Sequence, residues 1–139
     1  ARVAIISSSW HLDICNDLVA GAQRALTAAA IINVEVIYVP GSFEIPLASQ
    51  IAFEKGFDAV VAVGLVLEGQ TPHFDYVCQG VTQGVMDVSL KFSAPIGFGV
   101  LMCNTLDQAV ARSGRPGSSE DKGYDSAVAA IKSLELKAK

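Results

Sequence analysis

Charge is scarce in this chain of 139 residues: only 17% of its residues are Asp, Glu, Lys or Arg, against 51% hydrophobic. So small a polar supply leaves apolar surface that needs covering by other subunits. The formal net charge of −4 provides no basic footprint, which argues against nucleic acid as a partner. No apolar run approaches the roughly 18 residues of a membrane helix, and the opening ARVAII is too short for a signal peptide. The three cysteines, Cys15, Cys78 and Cys103, are odd in number, widely spaced and without a CxxC pair. They read as reduced thiols of a cytoplasmic protein, with neither a disulfide framework nor a metal site. Neither GxGxxG nor GxxxxGK[ST] occurs, so the two common glycine-rich nucleotide cradles are missing.

What is present is a regular alternation without linkers, and its length suits one domain over residues 1–139 that buries roughly 68% of its unfolded surface. Val3 to Ser8 is a short apolar run of the kind buried in parallel sheets, and Val34 to Val39, Ala59 to Leu65 and Ile96 to Met102 read as the second, third and fourth strands. Between them Ile14, Leu18, Ala22, Ala25 and Ala29 line one helical face, and Val77, Val81, Val85 and Val88 another. Ser42 is placed to cap a helix with Pro46 in its first turn. Thr105 to Arg112 predicts a short helix, Gly114 to Ser119 a break, and Asp121 to Leu136 a last helix with Val128, Ile131 and Leu134 inward. The row Gly80/Gly84 would let another element pack closely, and contact with neighbouring subunits is the expectation. Right-handed β-α-β units then predict a flavodoxin-like three-layer α/β/α sandwich on a four-stranded parallel sheet. Ligands in such folds sit at the carboxyl ends of the strands.

Four segments follow strands, and they carry the polar chemistry. GLVLEGQTPHFDYV (Gly64 to Val77) leads from a strand through Gly69-Gln70-Thr71-Pro72 into a helix. Unpaired amides at a helix start suit a phosphate, Gly69 allows close approach and the Thr71 hydroxyl adds a donor. His73, one of two histidines, adds a proton-transfer group. The same loop by itself is equally an ordinary strand-to-helix turn. Trp10, the only tryptophan, follows the first strand and can stack on a heterocycle or simply pack. His11 reads as solvated or as a minor polar contact. Ser42, Phe43 and Glu44 offer amides and a carboxylate to a polyhydroxyl chain, although Glu44 also suits the helix dipole alone. Arg112 and Lys122, taken singly, are ordinary solvated charges.

GQTPHFDYV resembles the active-site loop of the lumazine synthases, the penultimate enzymes of riboflavin biosynthesis. SSSWH (Ser7 to His11), VPGSFEIP (Val39 to Pro46), GFGVLMCNTLDQAVARSG (Gly97 to Gly114) and EDKG (Glu120 to Gly123) recur in that family's order across nearly the whole chain. The resemblance implies a transferase that condenses 5-amino-6-ribitylamino-uracil with 3,4-dihydroxy-2-butanone 4-phosphate, giving 6,7-dimethyl-8-ribityllumazine, phosphate and water, without cofactor or metal. It implies that Trp10, Ser42, Phe43, Glu44, Val66 and Leu67 hold the pyrimidine and its ribityl chain. His73 moves protons in this scheme, and Gly69, Gln70, Thr71 and Arg112 hold phosphate. Phe98 and Lys122, further contacts to the pyrimidine and its ribityl chain in this scheme, and Arg112 match positions that the family contributes from a neighbouring subunit. Glu68 departs from the Arg or Lys usual before GQTPH, so its carboxylate either turns away or weakens phosphate binding. The family further implies a homo-oligomer and riboflavin synthase as a partner. A pentamer is expected over an icosahedral shell, because GRPGSSEDKG (Gly114 to Gly123) lengthens the turn that sets the last helix. A flavin or lumazine carrier on the same fold, or a phosphoryl-binding module, are the competing readings.

Overall fold

The computed structural model describes residues 1–139 as four strands, five helices and one short 3₁₀ turn. In chain order these are β1 (Arg2–Ser8), α1 (Leu12–Ala28), β2 (Asn33–Val39), the 3₁₀ turn (Ser42–Glu44), α2 (Ile45–Glu54), β3 (Ala59–Leu67), α3 (His73–Phe92), β4 (Ile96–Cys103), α4 (Leu106–Arg112) and α5 (Lys122–Ala138). The strands form one parallel sheet in the order β2-β1-β3-β4. The sandwich expected from the alternation is therefore the observed fold.

Both faces of the sheet are covered, which explains the near-continuous apolar runs of β1 and β3. Val3, Ile5, Val61 and Val63 point into a core shared with Leu18, Ala22, Leu26, Ala127 and Ala130 of α1 and α5. Ala4, Ile6, Val60 and Ala62 point the other way, against Ile45, Phe53, Val81, Val85 and Val88 of α2 and α3. Successive side chains of a strand alternate between faces, so one run of small and branched residues serves two cores. None of the helices is long and apolar enough to cross a membrane.

Several local expectations change. Ala29 is not part of the buried face of α1; it is the exposed residue just past the helix end, and Ala30 beyond it turns left-handed at φ 60°. In α5 the buried positions are Gly123, Ser126, Ala127 and Ala130, while Val128, Ile131 and Leu134 pack half-buried against the same core. Small side chains are favoured there because α5 lies directly on β4 and α1: a Cβ on Gly97 would collide with the Ser126 carbonyl, and one on Gly123 with the Leu18 carbonyl. The Gly80/Gly84 row is filled from within the chain and not by another subunit. A Cβ on Gly80 would lie 2.7 Å from Phe43 Cε1, and one on Gly84 2.8 Å from Pro46 Cβ and Cγ.

The strand order decides where a ligand can sit. After β1 the chain steps outward to β2, then returns across β1 to place β3 on its other side. Connections leaving β1 and β3 therefore run to opposite faces of the sheet and leave a crevice at the carboxyl ends.

Candidate functional site

Three connections wall this crevice. The first is Ser9 to His11, after β1. The Ser9 hydroxyl donates to the Val39 carbonyl (2.8 Å) and so ties the turn to the end of β2. Beneath it the buried Cys15 thiol donates to the Trp10 carbonyl (3.1 Å). Burial pushes this thiol's pKa up, which keeps it a neutral donor. His11 takes a left-handed conformation (φ 49°, ψ 61°), and its carbonyl accepts the first α1 bonds from Ile14 and Cys15. The turn leaves the Trp10 indole 68% exposed at the rim of the crevice. His11 belongs to the cavity wall as well, more than the sequence suggested.

The second wall is Pro40 to Glu44. Ser42 does not cap a helix with its side chain, as its position in the sequence had suggested. It is buried, opens the 3₁₀ turn, and its hydroxyl donates across to the Leu65 carbonyl of β3 (3.4 Å). The reason is proximity: β3 carries Gly64 directly beneath, where a Cβ would lie 2.8 Å from Ser42 Oγ and 2.7 Å from Ser8 Oγ. A glycine there lets three connections meet, and the hydroxyl finds its acceptor in the sheet. Phe43 lies with its ring edge on Gly80, and the Glu44 carboxylate folds over Gly41.

The third wall is the end of β3 and the start of α3. Glu68 donates its amide to the Cys103 carbonyl (3.0 Å), and its side chain is exposed. The amides of Gly69, Gln70 and Thr71, by contrast, have no acceptor within the chain. Thr71 Oγ1 accepts from the His73 amide (3.4 Å), which leaves its own proton to donate elsewhere. Nothing lies within 4 Å of a Cβ built on Gly69, so this loop is open on its outer side. His73 is the first residue of α3, exposed on the cavity side, with Tyr76 one turn further on.

Together these connections enclose about 620 Å³. Trp10, Ser42, Phe43, Glu44, Val66, Leu67 and His73 all line this cavity. Pro40, Gly41, Leu65, Tyr76 and Val77 line it too and were missed. The spacing His73-x-x-Tyr76 on one helix face was the signal available for Tyr76. Gly69 to Thr71 form the adjoining loop. Phe98, Arg112 and Lys122 do not line the cavity of their own chain. Phe98 is 40% exposed on the edge strand β4. Arg112 and Lys122 flank Glu120 beyond α4, with Arg112 Nε 3.4 Å and Lys122 Nζ 3.2 Å from its carboxylate. A volume of this size with an indole at the rim and free amides beside an imidazole suits a planar polar heterocycle and an anionic group together.

The 6,7-dimethyl-8-ribityllumazine synthase family model matches residues 1–138. The chain belongs to the lumazine synthase family. Among proteins similar to it is the 6,7-dimethyl-8-ribityllumazine synthase of Streptomyces coelicolor, 52% identical over 94% of this chain and 81% of the relative. Those of Pseudarthrobacter chlorophenolicus (51%, 94% and 80%) and Streptomyces avermitilis (49%, 94% and 81%) are similar to the same extent. Of solved structures, a de novo designed Rossmann-fold protein overlaps loosely (TM-score 0.47, 17% identity, 78% of this chain and 90% of that one) and adds nothing to the topology described above.

Proposed function

We propose that this cavity joins the two substrates of the penultimate step of riboflavin biosynthesis. The chain condenses 5-amino-6-ribitylamino-uracil with 3,4-dihydroxy-2-butanone 4-phosphate to give 6,7-dimethyl-8-ribityllumazine, phosphate and water. The observation that supports this use of the cavity is the convergence of Trp10, Ser42 to Glu44, Val66, Leu67 and His73 on one wall system, beside a loop of unpaired amides.

In our reading the Trp10 indole stacks on the pyrimidine while Val66 and Leu67 form the floor under it. Ser42, Phe43 and Glu44 bind the ribityl chain, the Glu44 carboxylate accepting from its hydroxyls. The phosphate of the second substrate lies on the amides of Gly69, Gln70 and Thr71, at the positive end of α3. His73 then stands between the two substrates. Imine formation, loss of phosphate and ring closure each move a proton, and His73 shuttles it. Holding both reactants in one walled space supplies the rest of the acceleration by converting an encounter into an intramolecular step.

Phe98, Arg112 and Lys122 reach a cavity only if a neighbouring copy lends them, and we propose a pentamer in which each site lies between two copies. Two features support it. The three residues lie outside their own cavity, and Leu47, Ile51, Met86 and Leu90 leave apolar side chains of α2 and α3 exposed. In the pentamer the two free buried thiols, Cys15 and Cys103, and the half-buried Cys78 remain reduced, as in a cytoplasmic enzyme. Mixing the purified chain with both substrates tests the activity: lumazine and phosphate should form in equal amounts. Native mass spectrometry tests the assembly, with about five times the 14.6 kDa chain mass expected. A carrier would bind lumazine without turnover, an active monomer would refute the shared site, and a closed shell would refute the pentamer.

A further inference from the structure

Arg112, assigned to phosphate, is already in contact with an anion. Its Nε is 3.4 Å from Glu120 Oε2, and its Nη1 donates to the Gln108 carbonyl at 2.9 Å. The other oxygen of the same carboxylate is 3.2 Å from Lys122 Nζ. One Glu thus bridges two cations and leaves a cluster of net charge +1, with the Nη2 edge of the guanidinium unoccupied by protein.

Glu120 is not free to leave. Its amide donates to the Ala111 carbonyl (3.0 Å) and its carbonyl accepts from Gly114 (3.1 Å), beside a Ser113–Asp121 bridge. Ser118 and Ser119 hydroxyls hold the Val110 and Ala111 carbonyls. Arg115 anchors the segment to α1, with Nε 2.7 Å from Asp17 and Nη2 3.4 Å from Asp13. The backbone that carries this carboxylate is therefore held beside Arg112 by a segment clamped at both ends.

We propose that Glu120 is a positioning residue that holds Arg112 and Lys122 apart as a bridged pair and lowers the site's hold on phosphate, so that the phosphate released by the reaction leaves. This rests on the reading of Arg112 as the phosphate contact. A phosphate on the Nη2 edge meets the attraction of two cations and the repulsion of one carboxylate. The side chains of Arg112, Glu120 and Lys122 are 39%, 40% and 41% exposed, so solvent screens the repulsion to a modest factor. The bond to the Gln108 carbonyl continues to orient the guanidinium when the charge of Glu120 is removed.

The test uses the assembled enzyme and inorganic phosphate as an inhibitor competing with butanone phosphate. Glu120→Gln keeps the side-chain shape and an oxygen acceptor for Arg112 but not the charge. The phosphate inhibition constant should fall roughly three- to tenfold. The KM for butanone phosphate should fall with it, and the KM for the pyrimidine should not move. Glu120→Asp should return the inhibition constant toward wild type. Arg112→Ala separates the two claims. If Arg112→Ala weakens phosphate while Glu120→Gln leaves it unchanged or weakens it, Glu120 has only a structural role and the proposal is wrong. If Arg112→Ala leaves phosphate inhibition untouched, the assignment of Arg112 is wrong, and the role of Glu120 goes with it. Equal shifts in both substrates for Glu120→Gln, with a lowered melting temperature, also overturn the proposal.

Discussion

Gly80 and Gly84 lie one turn apart on α3, and an added methyl group meets a neighbour at almost the same distance in each case. At Gly84 that neighbour is Pro46, 2.8 Å from the new carbon through both Cβ and Cγ. A normal carbon contact is about 3.5–4.0 Å, so the surfaces must part by about 1 Å. Pro46 is a rigid ring in the first turn of α2 and cannot rotate away. Overpacking of this kind costs about 1–3 kcal/mol, and the gain from Gly→Ala inside a helix offsets about 1 kcal/mol of it. Gly84→Ala should therefore lose about 1 kcal/mol, a fall of about 3–5 °C in melting temperature. At Gly80 the neighbour is the Phe43 ring, which is 61% exposed and can turn outward. That rotation costs about 0.5–1.5 kcal/mol, close to the helix gain, so Gly80→Ala should leave stability near wild type. The displaced ring belongs to the cavity wall, however. Losing an aromatic contact of about 0.5–1.5 kcal/mol should raise the pyrimidine KM about two- to tenfold. Denaturant unfolding at fixed protein concentration and steady-state kinetics on both variants separate these effects. If the two variants are equally destabilised, or if Gly80→Ala leaves the pyrimidine KM unchanged, the assignment of Phe43 and Pro46 as the two different neighbours is refuted.

His73→Ala should slow the condensation by about 10²-fold or more at saturating substrates while pyrimidine binding changes little; unaltered turnover removes His73 from the mechanism. Arg112→Lys replaces a bidentate fork with a point charge and should weaken butanone phosphate more than the pyrimidine in titrations; equal losses contradict the phosphate role. Glu68→Arg should tighten phosphate modestly, and no change means that the exposed Glu68 side chain stays turned away from the anion. Burial raises the pKa of Cys15 above that of an ordinary free thiol. The thiol of the unfolded chain thus ionises first, and stability should be fully present at neutral pH and decline as the pH rises beyond about 8.5. Unfolding measured between pH 7 and 9.5 should show a shallower decline for Cys15→Ala than for wild type, the remainder coming from Cys78 and Cys103, whose thiol pKa burial also raises; equal slopes would remove Cys15 from this dependence.

The order of strands and helices was legible because each element carries its own period. Alternation is suppressed in strands buried on both faces, and helices return an apolar residue every three or four positions. The loops that wall the cavity were legible for the same reason: Trp10, Phe43 and His73 all follow strands within six residues. Membership of the lumazine synthase family was legible too, since five motifs in fixed order are spread along most of the chain. Periodicity records which side of an element is buried and not what buries it. Val128, Ile131 and Leu134 fit the inward face of α5, yet Ala127 and Ala130 make the close contact, because the carbonyls of α1 and the glycines of β4 leave no room for more.

What the chain alone determined is thus the inventory: four strands, amphipathic helices, and polar loops at the carboxyl ends. The tertiary structure decided which of these meet. The order β2-β1-β3-β4 brings the Trp10 turn and the His73 loop to the same crevice, a lateral choice that no local pattern encodes. Packing of α2 on α3 gave Gly80 and Gly84 to Phe43 and Pro46 of the same chain, where the sequence had pointed to a neighbouring subunit. The same three-dimensional closeness took the Ser42 hydroxyl from its own helix to the Leu65 carbonyl and set Glu120 between Arg112 and Lys122. Apart from the Glu120 bridge, each of these is a contact between residues distant along the chain. A one-dimensional period describes a residue's own element; the partner across the gap is selected by shape, and by the requirement that buried polar groups find partners.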